Sequence, residues 1–461
     1  MKTLSAVLKN KMRKTIPSLF AITAMCMSHL AGAQNVTINA KLASPVILPN
    51  ETQSNFLKVA LIGDKIKSDD RKVINLTLVI DKSGSMEGDR IQKAKEAAIL
   101  AVNQLDKHDI LSIVTYDDVA EVIIPATKLT DKAEMIQLIE NRIDADGGTA
   151  LFAGLSKGLV EVDKFKHTNQ INRIILLSDG QANVGPSSTH ELGELGVIAA
   201  KQSIAVTTIG LGEGYNESLM AAIASYSDGN HAYVQNSDDL DKIFVKEFDD
   251  VMSVIAQNVV VNIELENGAK PIRLWGREGT IDGNTVRVKL NQLYANQEKY
   301  VLLELQSPTE KTTQSVKSDG KVSVAKVYIT YDDLYQERRV EENQLLAIEF
   351  NDDKEKVQMA QQQDVIVESL IQQNTERRKE AVNYLKSGDK AAAESSLNAS
   401  YEYLEQNLSG ITDGAAAAKL RTQIENEKSV LSEMQNPAAS APVLEKKITE
   451  DVYKTNQQQR K

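Results

Sequence analysis

Cysteine is nearly absent from this chain of 461 residues: Cys26 is the only one. Internal disulfides are therefore excluded, and a chain this long needs none to hold a core. Histidine is scarce as well. His29, His108, His167, His190 and His231 are scattered. None has a second His or a Cys at metal-ligand spacing, which argues against a histidine zinc centre; they read as surface residues. Positive charge is in deficit, with 53 Lys and Arg against 64 Asp and Glu and a formal net charge of -11. A nucleic-acid partner calls for the opposite balance. Beyond the leader, no stretch reaches the roughly 18 apolar residues of a membrane span. No Gly-x-Ser-x-Gly nucleophile elbow occurs, nor any other arrangement that sets a base beside a nucleophile. What remains is a composition of 42% hydrophobic and 25% charged residues, ordinary for globular protein and too long for one core.

The first segment reads as an export signal over residues 1–33. Lys2, Lys9, Lys11, Arg13 and Lys14 form a basic leader, residues 16–30 are mostly apolar, and Ala31-Gly32-Ala33 supplies small residues for cleavage before Gln34. The apolar core is short for an anchor, and Pro17 and His29 interrupt its ends. Lipidation at Cys26 is disfavoured by Met25, where a small residue is wanted. The expected location is exported, periplasmic or extracellular, free or peripheral to the cell envelope.

Residues 34–72 have strand character, with alternation at 36–40 and 55–61 and punctuation at Pro45, Pro49 and Asn50. Two strands cannot stand alone. From residue 73 strands and helices alternate. Residues 73–80, 110–114, 121–124, 173–177, 204–211 and 231–234 read as strands. Residues 89–105, 131–143, 151–165, 191–202, 217–225 and 238–257 read as helices. That alternation predicts an α/β fold with a mostly parallel, doubly wound sheet over 73–258. Residues 259–351 lose the helices and read as a β-sandwich, with hairpin turns at Asn267-Gly268 and Asp282-Gly283-Asn284. The strands of 34–72 are its natural companions, which makes the α/β domain an insertion in the sandwich. Residues 352–436 predict three helices, at 357–385, 390–408 and 415–434, separated by Ser387-Gly388-Asp389 and Ser409-Gly410. They are read as a small helical cap; a docking hairpin like part of a tetratricopeptide unit is the other reading, but one pair is too little for a repeat. The Gln-rich stretch 437–461 is expected to be disordered.

The informative residues follow the first buried strand: Asp81-Lys82-Ser83-Gly84-Ser85. Ligands of open α/β sheets bind at the carboxyl ends of strands. Short side chains at alternate positions of a turn that Gly84 loosens can converge on one point. Asp146-Gly147-Gly148-Thr149 and Ser178-Asp179-Gly180 bring Thr149 and Asp179 to the same edge. Two carboxylates and three hydroxyls suit a hard divalent cation, and leave room for a water or an outside carboxylate.

This pattern, Asp-x-Ser-x-Ser followed by a distant Thr and a distant Asp, resembles the metal-ion-dependent adhesion site of von Willebrand factor A and integrin I-type domains over about residues 73–258. The resemblance assigns the metal to Asp81, Ser83, Ser85, Thr149 and Asp179. It implies one Mg²⁺, with Mn²⁺ or Ca²⁺ as alternatives, and an Asp or Glu of a protein or peptide partner at the open position. It further implies that ligand binding shifts the last helix of the domain, 238–257, against the sandwich. Two bland readings stand beside the metal. The five residues serve as loop caps, or the domain is a structural subunit of the cell envelope with incidental metal occupancy.

Other readings rank lower. An aspartyl-phosphate phosphatase needs an Asp where Ser83 stands. Gly210-Leu211-Gly212-Glu213-Gly214 places its third Gly too early for a dinucleotide loop and reads as a tight turn. Asp117-Asp118 is read as a solvated turn, with tuning of ligand choice as the other reading. The expected function is cation-dependent binding of a protein or peptide, without catalysis.

Overall fold

A computed structural model of the chain describes residues 35–66, 71–313, 320–436 and 439–460. Cys26 and the expected leader lie outside the described residues. The chain opens with strands β1 (Val36–Leu42), β2 (Val46–Ile47) and β3 (Ser54–Gly63), of which β1 and β3 pair antiparallel.

The α/β domain follows: β4 (Ile74–Asp81), α1 (Asp89–Gln104), β5 (Ile110–Tyr116), β6 (Ala120–Lys128), α2 (Lys132–Arg142), α3 (Leu151–Asp163), β7 (Ile171–Ser178), α4 (Thr189–Lys201), β8 (Ala205–Leu211), α5 (Glu217–Ser227), β9 (His231–Val234) and α6 (Leu240–Met252). The sheet order is β6-β5-β4-β7-β8-β9. All neighbours are parallel except the edge pair β5 and β6. Every residue of β4 is buried. Leu76, Leu78 and Ile80 pack with α1, α2 and α6 on one face, and Val79 packs with α3, α4 and α5 on the other. Some polar groups inside are paired: Asn75 donates to the Val162 carbonyl at 2.8 Å and Thr77 meets Ser112 at 2.6 Å. Three of the helix starts carry side-chain caps: Asp131 for α2, a Ser188–Glu191 capping box for α4 and Asn216 for α5.

The chain then builds β10 (Val254–Leu265), β11 (Lys270–Trp275), β12 (Thr280–Asp282), β13 (Thr285–Tyr294), β14 (Glu298–Gln306), β15 (Lys321–Asp333) and β16 (Arg338–Phe350). One sheet runs β1-β3-β14-β11 and the other β12-β13-β10-β15-β16-β2. Their facing residues, among them Val59, Leu61, Val261, Ile263, Val288 and Val301, share one core. The α/β domain is thus inserted into a β-sandwich, because β14 finds its partner in β3. Helices α7 (Lys354–Met359), α8 (Gln363–Lys386), α9 (Lys390–Leu408), α10 (Gly414–Gln435) and α11 (Ala441–Asn456) and the short strand β17 (Gln459–Arg460) complete the chain.

Four expectations need correction. The helix expected over 238–257 ends at Met252, and Val254, Ile255, Ala256 and Gln257 are buried in β10, held by pairing with β13 and β15. The single helix expected over 357–385 breaks at Gln362, which is extended (φ -88, ψ 92) and whose N–H donates to the Ala43 carbonyl at 2.8 Å. The stretch 437–461, expected to be disordered, is helical over Ala441–Asn456 and ends in β17, paired with β14. Its Gln-rich composition hid an apolar stripe, Leu444, Ile448 and Val452, at helical spacing and buried. Finally, His231 is buried, not at the surface.

Candidate metal centre

Three loops leave the carboxyl ends of β4 and β7 and precede α3, and they carry the oxygen-bearing side chains. Asp81 closes β4 and is wholly buried. One of its oxygens accepts from the Ser83 N–H at 2.9 Å, the other from the Ser178 hydroxyl at 2.7 Å. Burial, opposed by those hydrogen bonds and reinforced by the nearby charge of Asp179, pushes the Asp81 carboxyl up to about 6. The Ser83 and Ser85 hydroxyls lie 3.1 Å apart, and Ser85 donates to Asp179 Oδ1 at 2.7 Å. Thr149 joins them across Gly180: a methyl at that glycine would lie 3.3 Å from both the Ser85 and the Thr149 hydroxyl. All five residues therefore come to one edge of the sheet. Ser83, Thr149, Asp81 and Asp179 are almost fully buried.

The loops are locked to one another by their backbones. Gly84 N–H donates to the Gly147 carbonyl at 3.0 Å and Asp146 N–H to the Lys82 carbonyl at 2.8 Å. Gly147 sits at φ +74, a conformation that glycine adopts freely, and a Cβ there would come within 2.8 Å of an Asp118 oxygen. The set as a whole is oxygen only: two carboxylates that repel one another in a buried site, and three hydroxyls. A hard divalent cation fits such donors and would relieve that repulsion.

Residues 75–246 match the von Willebrand factor type A domain. An uncharacterized Synechocystis protein, sll0103, is 30% identical over 293 residues, which are 61% of this chain and 67% of that one. This chain belongs to the von Willebrand factor type A domain family. The Escherichia coli protein YfbK, also uncharacterized, is 30% identical over 218 residues, 47% of this chain, and the chain covers only 38% of that protein's length. The solved von Willebrand factor type A structure from Catenulispora acidiphila superposes with a TM-score of 0.67 at 13% identity, covering 94% of this chain and 99% of that one. At that identity the likeness is one of fold, and it extends through sandwich and helices. Domains of this family commonly bind proteins in a metal-dependent manner.

Several residues that shape the von Willebrand factor A loop edge escaped the motif. Arg90, in the first turn of α1, donates to Asp179 Oδ2 and to the Ser85 carbonyl at 3.0 Å. Asn183 accepts from the Thr149 N–H at 2.8 Å. The pair Asp117-Asp118 is not merely solvated. Against the desolvation of its partial burial, the Lys82 ammonium and the Val119 N–H hold Asp117 below the usual carboxylate range, and Asp118 accepts from the Gly148 N–H at 3.0 Å. Both brace the loops of the candidate site. Their position at the end of β5, on the carboxyl edge, was the available signal.

Proposed function

We propose that this chain is an exported binding protein whose von Willebrand factor A domain holds one divalent cation, Mg²⁺ first and Mn²⁺ or Ca²⁺ as alternatives, to grip an Asp or Glu of a protein or peptide partner. The observation that carries the reading is the meeting of Asp81, Ser83, Ser85, Thr149 and Asp179 at one sheet edge. A bound cation would supply an electrophilic anchor for a carboxylate. The chain's own residues do the rest. Ser83, Ser85 and Thr149 present neutral oxygens, so two carboxylates alone balance the ion and an anionic partner is still attracted. Arg90 neutralises the far oxygen of Asp179. The role is binding and not catalysis.

The test is calorimetry of Mg²⁺ and Mn²⁺ with the purified chain, paired with affinity capture from envelope extract with and without EDTA. The reading expects uptake of one ion, and capture lost on chelation and in Asp81→Ala and Asp179→Ala. Capture that survives all three points instead to an envelope subunit with the domain as scaffold. Absence of metal uptake by the folded chain overturns the site itself.

A further inference from the structure

The opposite end of the α/β domain, where it meets the sandwich, holds a cluster of buried charges. Asp228 caps α5 in the left-handed conformation (φ 52), and its carboxylate is the meeting point. Arg277 donates to one oxygen at 2.8 Å, and Lys299 to the other at 2.8 Å. The Asn291 N–H adds a third contact at 2.7 Å. The Arg277 and Lys299 side chains are 7% and 1% exposed. Two buried cations thus share one carboxylate.

Beside this cluster lies a cavity of 540 Å³, between α4, α5, the β11–β13 region and the end of α11. That volume is in the range of small-molecule sites. One wall is apolar, formed by Val197, Ala200, Tyr226 and Leu290. The charged residues of its lining are Lys201, Arg277, Arg287 and Lys289 against Asp228 and Glu278. A chain with a net charge of -11 has therefore gathered a net positive cavity. Two lining groups are also unsatisfied: Arg277 Nη2 and Asn291 Oδ1 are buried without a hydrogen-bond partner. A buried guanidinium N–H left without a partner is costly.

We propose that this junction cavity binds a small organic anion, a carboxylate on a largely apolar body, with the acid group at Arg277 and the body along Val197, Ala200 and Tyr226. Arg287 and Lys289, exposed on β13, draw the anion in. The site is separate from the metal edge and joins residues of α/β domain, sandwich and final helix, so its occupancy ties the three together.

The experiment uses the purified full chain and two probes with the same ring body. These are 8-anilinonaphthalene-1-sulfonate and its uncharged counterpart N-phenyl-1-naphthylamine. The sulfonate is expected to brighten saturably at one site, to be displaced by decanoate, and to bind at least about tenfold more tightly than the neutral probe, the worth of one favourable charge contact. Ala200→Trp, which fills the cavity, and Arg287→Glu with Lys289→Glu, which reverse its charge without disturbing buried groups, should each weaken binding about tenfold or more. Thermal midpoints show which variants are folded, and the two exposed reversals keep the test alive if the tryptophan is not accommodated. Equal binding of both probes, no displacement by decanoate, or affinity unchanged in the folded variants would each overturn the proposal.

Discussion

The two edges of the α/β sheet solve opposite electrostatic problems. At the carboxyl edge, Asp81 and Asp179 are buried side by side, and the part-exposed Arg90 pairs with Asp179. At the amino edge Asp228 sits between two buried cations, and burial brings Lys299 down to about 8 despite that partner. One edge sets two buried acids against a part-exposed guanidinium and opens outward through loops; the other matches buried acids with buried cations and meets the sandwich. The comparison shows how one sheet is stabilised by charge at one end and holds charge in tension at the other. A site built to take up an ion is necessarily less comfortable without it.

The largest effect is expected at Asp228. Asp228→Ala leaves Arg277 and Lys299 buried without their anion and should cost about 3–5 kcal/mol, read from the urea midpoint. A loss below that range would mean that the amino edge is not held by this cluster. Next comes acid. His231, at the start of β9, is held down to about 4 by burial, with Lys454 adding to the effect and Glu217 opposing it; its usual value is 6.5. Thr208 meets one ring nitrogen at 2.9 Å and Tyr215 the other at 3.3 Å. The unfolded chain gains the proton first, so this contribution is complete above pH about 6.5 and is lost as pH falls toward 4, by about 3 kcal/mol. His231→Gln should flatten that acid slope; an unchanged slope in thermal melts would refute the assignment.

The carboxyl edge should respond in the other direction. In EDTA, Asp81→Asn removes a buried charge facing Asp179 and should raise stability by about 1–3 kcal/mol while abolishing metal uptake. Destabilisation in EDTA would show that the edge is not under charge tension. The smallest effect is expected at Arg90. Arg90→Gln exposes the full charge of Asp179 and should tighten Mg²⁺ binding about threefold to fivefold, modest because the guanidinium is partly solvated. Weaker binding in that variant would make Arg90 a loop brace instead of a counter-charge.

The two edges also differ in how well they can be read from sequence. Asp81, Ser83 and Ser85 are one turn of chain, and Thr149 and Asp179 sit beside glycines next to a helix and a strand, so order and spacing reveal them. The amino-edge cluster is assembled from Asp228, Arg277 and Lys299, which are 49 and 71 positions apart and carry no local signature. Arg90 and Asn183 are similarly silent, because their role depends on how far a side chain reaches between loops. The fold was legible where hydrophobic period was strong, as in β4 and α1. It was not at residues 254–257, where strand pairing overrode a helical reading, nor at Ala441–Asn456, where three apolar residues were masked by polar neighbours.

The step from α6 to β10 takes a single residue, Ser253, whose hydroxyl is tied to the Asp250 carbonyl at 2.9 Å. Anyone excising the domain by its apparent limits of 73 to 258 would carry off the first five residues of β10, which lies mid-sheet in the sandwich. Such a fragment would bear a frayed sticky ribbon, and the remainder would have a gap in its middle. A transplantable cassette ends at Ser253. That seam leaves no linker between the last helix of the domain and the sandwich strand that follows it.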